Sequence, residues 1–112
     1  MKFRFNLILS AFLLGAMIQG SPLGADEIYS IAIKGHQFFP AELTVPANRK
    51  FKVVVENQDA TAEEFESFDL NREKVVSGNS KITLFLGPLA PGTYKYFGEF
   101  HSQTARGMII AQ

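Results

Sequence analysis

Hydrophobic and polar residues alternate with a period of two through much of the chain. In Tyr29-Ser30-Ile31-Ala32-Ile33-Lys34, the side chains of Tyr29, Ile31 and Ile33 fall on one side. Phe51, Val53 and Val55 do the same within 51–56, and Ile82, Leu84 and Leu86 within 81–86. Successive residues of an extended chain point to opposite faces, so each segment predicts a strand with one face on a core. Shorter runs at 42–45, 93–97 and 108–110 predict three more strands. Turn-forming clusters separate them: Pro46-Ala47-Asn48, Asn57-Gln58-Asp59, Ser77-Gly78-Asn79-Ser80 and Pro91-Gly92. Short strands at regular spacing, with no long amphipathic helix after residue 26, predict an all-β sandwich.

Two regions depart from this pattern. The segment 59–71 carries Asp59, Glu63, Glu64, Glu66 and Asp69 and has the weakest alternation. Thr61 and Glu64 have the spacing of a capping box for one helical turn. From Glu64 onward the same residues also read as a strand, with Glu64, Glu66, Phe68 and Leu70 on one side. The strand, entered through a short turn, is the preferred reading.

The other region is the start. Lys2 and Arg4 precede an apolar run over 7–18, followed by Gly20-Ser21-Pro22 and then Leu23-Gly24-Ala25. A positive flank, a short apolar segment and a small residue at the junction form the layout of a secretory signal peptide. The run is shorter than the roughly 18 residues needed to cross a bilayer. Cleavage after Ala25 is the expectation, giving a periplasmic product of residues 26–112.

That product changes the charge balance. Losing Lys2 and Arg4 from eleven basic residues leaves nine against eleven acidic ones, a net charge of −2. No basic face for nucleic acid or anionic lipid is expected. The chain has no cysteine, so an exported domain of this size must be held by burial rather than by disulfides. Metal sites built on thiolate are excluded for the same reason. Motifs of zinc proteases, serine hydrolases and nucleotide-binding loops are absent.

Three segments together resemble the cupredoxins. Phe38-Phe39-Pro40 leads into Glu42-Leu43-Thr44-Val45-Pro46-Ala47-Asn48, where Asn48 takes the place of a glycine. Asparagine tolerates the left-handed backbone that such a turn requires. Pro91-Gly92-Thr93-Tyr94 is similar to the start of the family's metal loop, and His101 with Gly107-Met108-Ile109-Ile110 to its closing strand. The resemblance implies a cupredoxin-like Greek-key β-sandwich of about seven to eight strands, as the period-two segments also suggest. Counted from Tyr94, the family's cysteine place falls on Gly98 and its histidine place on His101. The family's earlier histidine ligand falls at Glu63 or Glu64. A blue-copper electron shuttle therefore does not carry over, because the copper–thiolate bond gives such a centre its character.

The runs Glu63-Glu64-Phe65-Glu66-Ser67, Arg72-Glu73-Lys74-Val75-Val76 and Gly98-Glu99-Phe100-His101 resemble the cupredoxin domains of bacterial periplasmic iron-uptake systems, of the EfeO and Ftr types. That resemblance implies binding of copper or iron, assistance in oxidising ferrous iron, and delivery to an inner-membrane iron permease with a redox partner. It points to Glu64, Glu66, Glu99 and His101 as metal ligands. One imidazole with carboxylates suits Fe(II), Fe(III), Cu(II) or Zn(II) rather than Cu(I). Read individually, Glu63 is expected to be solvated and His36 to lie on the surface near the same end. Phe38, Phe39, Phe97 and Phe100 are expected in the core or the wall of the site. The other function classes in play are a metal-free interaction module and copper binding for tolerance or delivery.

Overall fold

The computed structural model describes residues 27–112. The expected signal peptide, its junction at Ala25 and Asp26 lie outside the described residues. The described part contains nine strands: β1 (Glu27–Lys34), β2 (Gln37–Phe39), β3 (Glu42–Val45), β4 (Phe51–Asn57), β5 (Glu63–Ser67), β6 (Arg72–Val76), β7 (Ser80–Leu86), β8 (Gly92–Gly98) and β9 (Arg106–Ala111). A 3₁₀ turn, Glu99–His101, follows β8 directly. The strands form two sheets, ordered β2-β1-β4-β7 and β3-β9-β8-β5-β6. In each sheet one parallel pair, β1–β4 or β3–β9, sits among antiparallel neighbours.

Alternation explains which side of each strand is buried. Ile31, Ile33, Phe51, Val53, Val55, Leu84 and Leu86 face inward from the first sheet. Leu43, Val45, Phe65, Tyr96, Ile109 and Ala111 meet them from the second. Two inner faces that interdigitate this way are what hold a sandwich together. Phe38 and Phe65 pack around the Tyr96 ring at centroid distances of 5.0 and 4.8 Å.

Three details of the chain path set up the site. The β1–β2 hairpin turns through Gly35 and His36, both left-handed at φ 59° and 58°. Tight hairpins need that backbone, and a histidine adopts it less readily than glycine or asparagine. Asn48 is left-handed at φ 62°, as its glycine-like position anticipates. The acidic segment is a strand entered through a short bend, with no helical turn. That strand ends at Ser67, however, so Phe68 and Leu70 do not continue the face of Glu64 and Glu66. The chain turns there, leaving Phe68 exposed and Leu70 buried.

Candidate functional site

Strand β5 carries acidic residues on both of its faces. Glu63, Phe65 and Ser67 point inward and are buried, whereas Glu64 and Glu66 point outward and are half-buried. β6 pairs antiparallel with β5, and in this register Glu66 lies directly across from Glu73, with Glu64 across from Val75. Carboxylate oxygens of Glu64, Glu66 and Glu73 lie within 4.8 Å of one another. Like charges directly opposite on a sheet destabilise it, and the carboxyls of Glu64 and Glu66 are both pushed upward. The Glu64 carboxyl is pushed up from 4.5 to about 6, first by its hydrogen bond to Glu73, then by partial burial and by the charges of Glu73, Glu66 and Glu99. Glu66 is also raised, by partial burial, the charges of Glu73 and Glu99, and a hydrogen bond with Glu99. Glu99 opens the 3₁₀ turn and so flanks this group without completing it.

The inward face of β5 makes a different arrangement. Glu63 is 1 % exposed, which corrects the expectation that it is solvated. The strand's alternation is the reason: it turns Glu63 into the sandwich and Glu64 out of it. The Glu63 carboxylate is fully engaged. Oε1 accepts the backbone N–H of Glu64 and of Phe100, each at 2.8 Å. Oε2 lies 2.8 Å from Nδ1 of His101. With Glu63 ionised, its oxygen can only accept, so the proton on His101 sits on Nδ1.

His101 is therefore paired with Glu63 and stands apart from the Glu64, Glu66 and Glu73 group. The single point of convergence expected for Glu64, Glu66, Glu99 and His101 resolves into an outer carboxylate cluster and an inner glutamate–histidine pair. His36 lies at the surface as expected, half-buried there, and its ring stacks on that of His101 with centroids 3.6 Å apart and planes 12° apart. Its strained backbone is held in place from three sides. Asp59 accepts the N–H of Gly35 and of His36 at 2.8 and 2.9 Å, and Thr104 Oγ1 donates to the His36 carbonyl at 2.7 Å. These two N–H groups hold the Asp59 carboxyl below its ordinary range. Phe38 lies in the core and Phe100, though exposed, borders this end beside His36 and His101, whereas Phe39 is exposed and Phe97 packs against Phe68 at 5.6 Å.

Gly98 decides whether a thiolate-bound copper fits. A Cβ on Gly98 would lie 2.6 Å from Cδ of Glu63, 2.8 Å from its Oε2 and 2.7 Å from Cβ of Ala105. The space a side chain at this position would use is filled by the Glu63 carboxylate, and the chain has no cysteine. Blue copper does not fit these residues.

A model of the cupredoxin-like domain family matches residues 6–111. The chain belongs to that family. Among curated proteins, it is 49 % identical over 80 residues to an uncharacterized protein of Rickettsia prowazekii (strain Madrid E). That alignment covers 71 % of this chain and 64 % of the relative, so the chain spans less than two thirds of the relative's length. Among solved structures, auracyanin A of Chloroflexus aurantiacus, a blue copper protein, superposes with a TM-score of 0.67 at 17 % identity. That match covers 79 % of this chain and all of the other, 100 %. A copper(I) form of an amicyanin variant superposes with a TM-score of 0.64 at 18 % identity, covering 80 % and 87 %. These likenesses establish a cupredoxin-like fold for the described β-sandwich.

Glu73 and the partnership of Glu63 with His101 are the features that the sequence reading did not single out. A signal for Glu73 was present. The turn through Asp69-Leu70-Asn71 pairs Ser67 with Arg72, which places Glu73 opposite Glu66. For Glu63, the signal was its place next to Glu64 on a strand, where neighbours cannot share a face.

Proposed function

We infer that this cupredoxin-like protein binds a metal ion through the outer carboxylates Glu64, Glu66 and Glu73, with Glu99 alongside, and serves iron uptake in the periplasm. One observation carries the reading: three carboxylates converge within 4.8 Å across the β5–β6 pair, and a cation would relieve their repulsion. Oxygen donors of this kind favour hard or borderline ions, Fe(II), Fe(III) or Cu(II), over Cu(I). Negatively charged oxygens also stabilise Fe(III) more than Fe(II). An iron substrate held here would lose one electron more readily, the electron passing to a redox partner and the ferric ion to an iron permease of the inner membrane. Alternatively, with Cu(II) in place of iron at these carboxylates, a ferrous ion arriving from solution would give up one electron to it, leaving Fe(III) for the permease and Cu(I), which the redox partner would reoxidise. Support for the iron-uptake setting comes from the likeness of the β5, β6 and Gly98–His101 runs to domains of the EfeO and Ftr types.

A metal-free interaction module is the second reading, and the closed Glu63–His101 pair favours it. Beside Gly98, both Glu63 oxygens and Nδ1 of His101 already have protein partners.

Metal analysis of untagged protein purified from the periplasm, across Cu, Fe and Zn, tests the two readings. Stoichiometric iron or copper is expected. Protein that carries no metal and takes up none of the three on addition would favour the interaction module.

A further inference from the structure

We propose that Glu63 is the residue that shuts the family's inner metal position and so confines metal binding to the outer face of β5. The inference rests on the metal-binding reading for its outer half only. The inner half stands on the geometry of Glu63, Gly98 and His101.

A metal centre at the inner position would need His101 Nδ1, a donor from the 98 position and a donor from the start of β5. Glu63 removes all three. Its Oε2 takes Nδ1 of His101 at 2.8 Å. Its carboxylate lies where a side chain on Gly98 would begin. Its Oε1 is committed to the N–H groups of Glu64 and Phe100. Releasing that oxygen to a metal would take the acceptor away from two part-buried backbone N–H groups at once. His36 adds a cover, because its ring lies flat over His101. Among the described residues, the one group of three or more convergent metal-ligating side chains excludes Glu63 and His101.

The same hydrogen bonds give Glu63 a positioning role. Glu64 belongs to the outer cluster and Phe100 adjoins Glu99, so one buried carboxylate ties together the two backbone segments that present outer carboxylates. Closing the inner position and arranging the outer one are thus done by a single side chain.

Zn(II) is a suitable probe because it is diamagnetic and accepts both oxygen and nitrogen ligands. Two-dimensional ¹⁵N NMR of the histidine rings, with and without Zn(II), reads Nδ1 and Nε2 of His101 separately. In the wild type, and in Glu63→Gln, which keeps the volume and one acceptor oxygen, Nδ1 of His101 should not move on adding Zn(II). In Glu63→His, which withdraws the carboxylate and supplies a second imidazole, Nδ1 should show the shift of a metal ligand. Calorimetry should find one further Zn(II) site, lost in Glu63→His/His101→Ala. If Glu63→His does not fold, Glu63→Ala, which empties the same space, is read out in the same way. Zn(II) on Nδ1 of His101 in the wild type overturns the proposal. So does a folded opening variant, Glu63→His or Glu63→Ala, in which Nδ1 stays unmoved. The outer cluster is read separately: Glu64→Gln/Glu66→Gln/Glu73→Gln should abolish wild-type Zn(II) binding, and its failure would count against the metal-binding reading while leaving the closure by Glu63 standing.

Discussion

Adjacent glutamates on one strand have opposite fates here. Glu63 is buried and hydrogen-bonded three times, whereas Glu64 faces a cluster of its own charge. Glu64 gives the clearest pH dependence. Its folded pKa is raised from 4.5 to about 6. The protonated carboxyl hydrogen-bonds to Glu73, so its stabilisation is fully present below 4.5 and is lost as pH rises through about 6. The melting temperature of metal-free wild type relative to Glu64→Gln should therefore fall across that window, measured by thermal scans at several pH values. Metal binding should run the other way and strengthen as pH rises through the same range, because the ligand must be deprotonated. A binding constant that is flat from pH 5 to 7 (roughly the range in which a carboxyl of raised pKa ionises) would contradict the assignment of Glu64 as a ligand.

At the scale of elements, the hydrophobic alternation located the long strands because their inner residues have no role besides packing. β3 runs over the residues expected, and β1, β4, β7, β8 and β9 differ from expectation by a few residues at their ends. The short strand β2 was not legible: it is three residues long, and only Phe38 among them is buried. β6 was not legible either, since four of its five residues are exposed and it has one anchor, Val76. The site lies along just these poorly patterned elements. Its acidic residues follow the strand period but replace the apolar residues that would reveal it, so Glu63 reads as polar and yet packs as core. The loop between β4 and β5 depends on a side chain rather than on a pattern. Asn57 is buried, donates to the carbonyls of Thr61 and Val76, and accepts the N–H of Asp59. Asn57→Ala should lower stability by about 2–4 kcal/mol, because several polar groups lose partners at once. Chemical denaturation checks this, and a loss below about 0.5 kcal/mol, the range of ordinary surface changes, would show that the loop is held by other contacts. At the junction of β8 with the 3₁₀ turn, Gly98→Ala would press a methyl group onto Glu63 and Ala105. The expected cost is about 1–3 kcal/mol of overpacking, read as a lower melting temperature. An unchanged melting temperature would mean that the Glu63 carboxylate yields without cost.

At the scale of the whole molecule, the described sandwich is held by side-chain packing between its two sheets. Its hydrophobic core is continuous between the sheets, and the Glu63 carboxylate beside Gly98 is closed off by hydrogen bonds to Glu64, Phe100 and His101. Removing metal with a chelator should therefore leave the far-UV circular dichroism of a folded β protein unchanged, and collapse of that signal would contradict a core that stands alone. Addition of Cu(II) should give weak d–d absorption and no intense thiolate band, since no sulfur ligand of that type exists in the chain. The family and the sandwich were legible in the sequence because they rest on strands and turns. Which of its two acidic faces β5 turns inward was not, because the period of one strand parts Glu63 from Glu64 without fixing which of them is buried.

Isothermal titration of metal-free protein with Fe(II) under anaerobic conditions, and with Cu(II), tests the central claim most directly when wild type, Glu73→Gln and His101→Ala are compared. The outer-cluster account predicts that Glu73→Gln weakens binding at least about tenfold, equivalent to about 1.4 kcal/mol, while His101→Ala binds within about twofold of wild type. Loss of binding in His101→Ala with Glu73→Gln unaffected would contradict it and return the metal to the inner position.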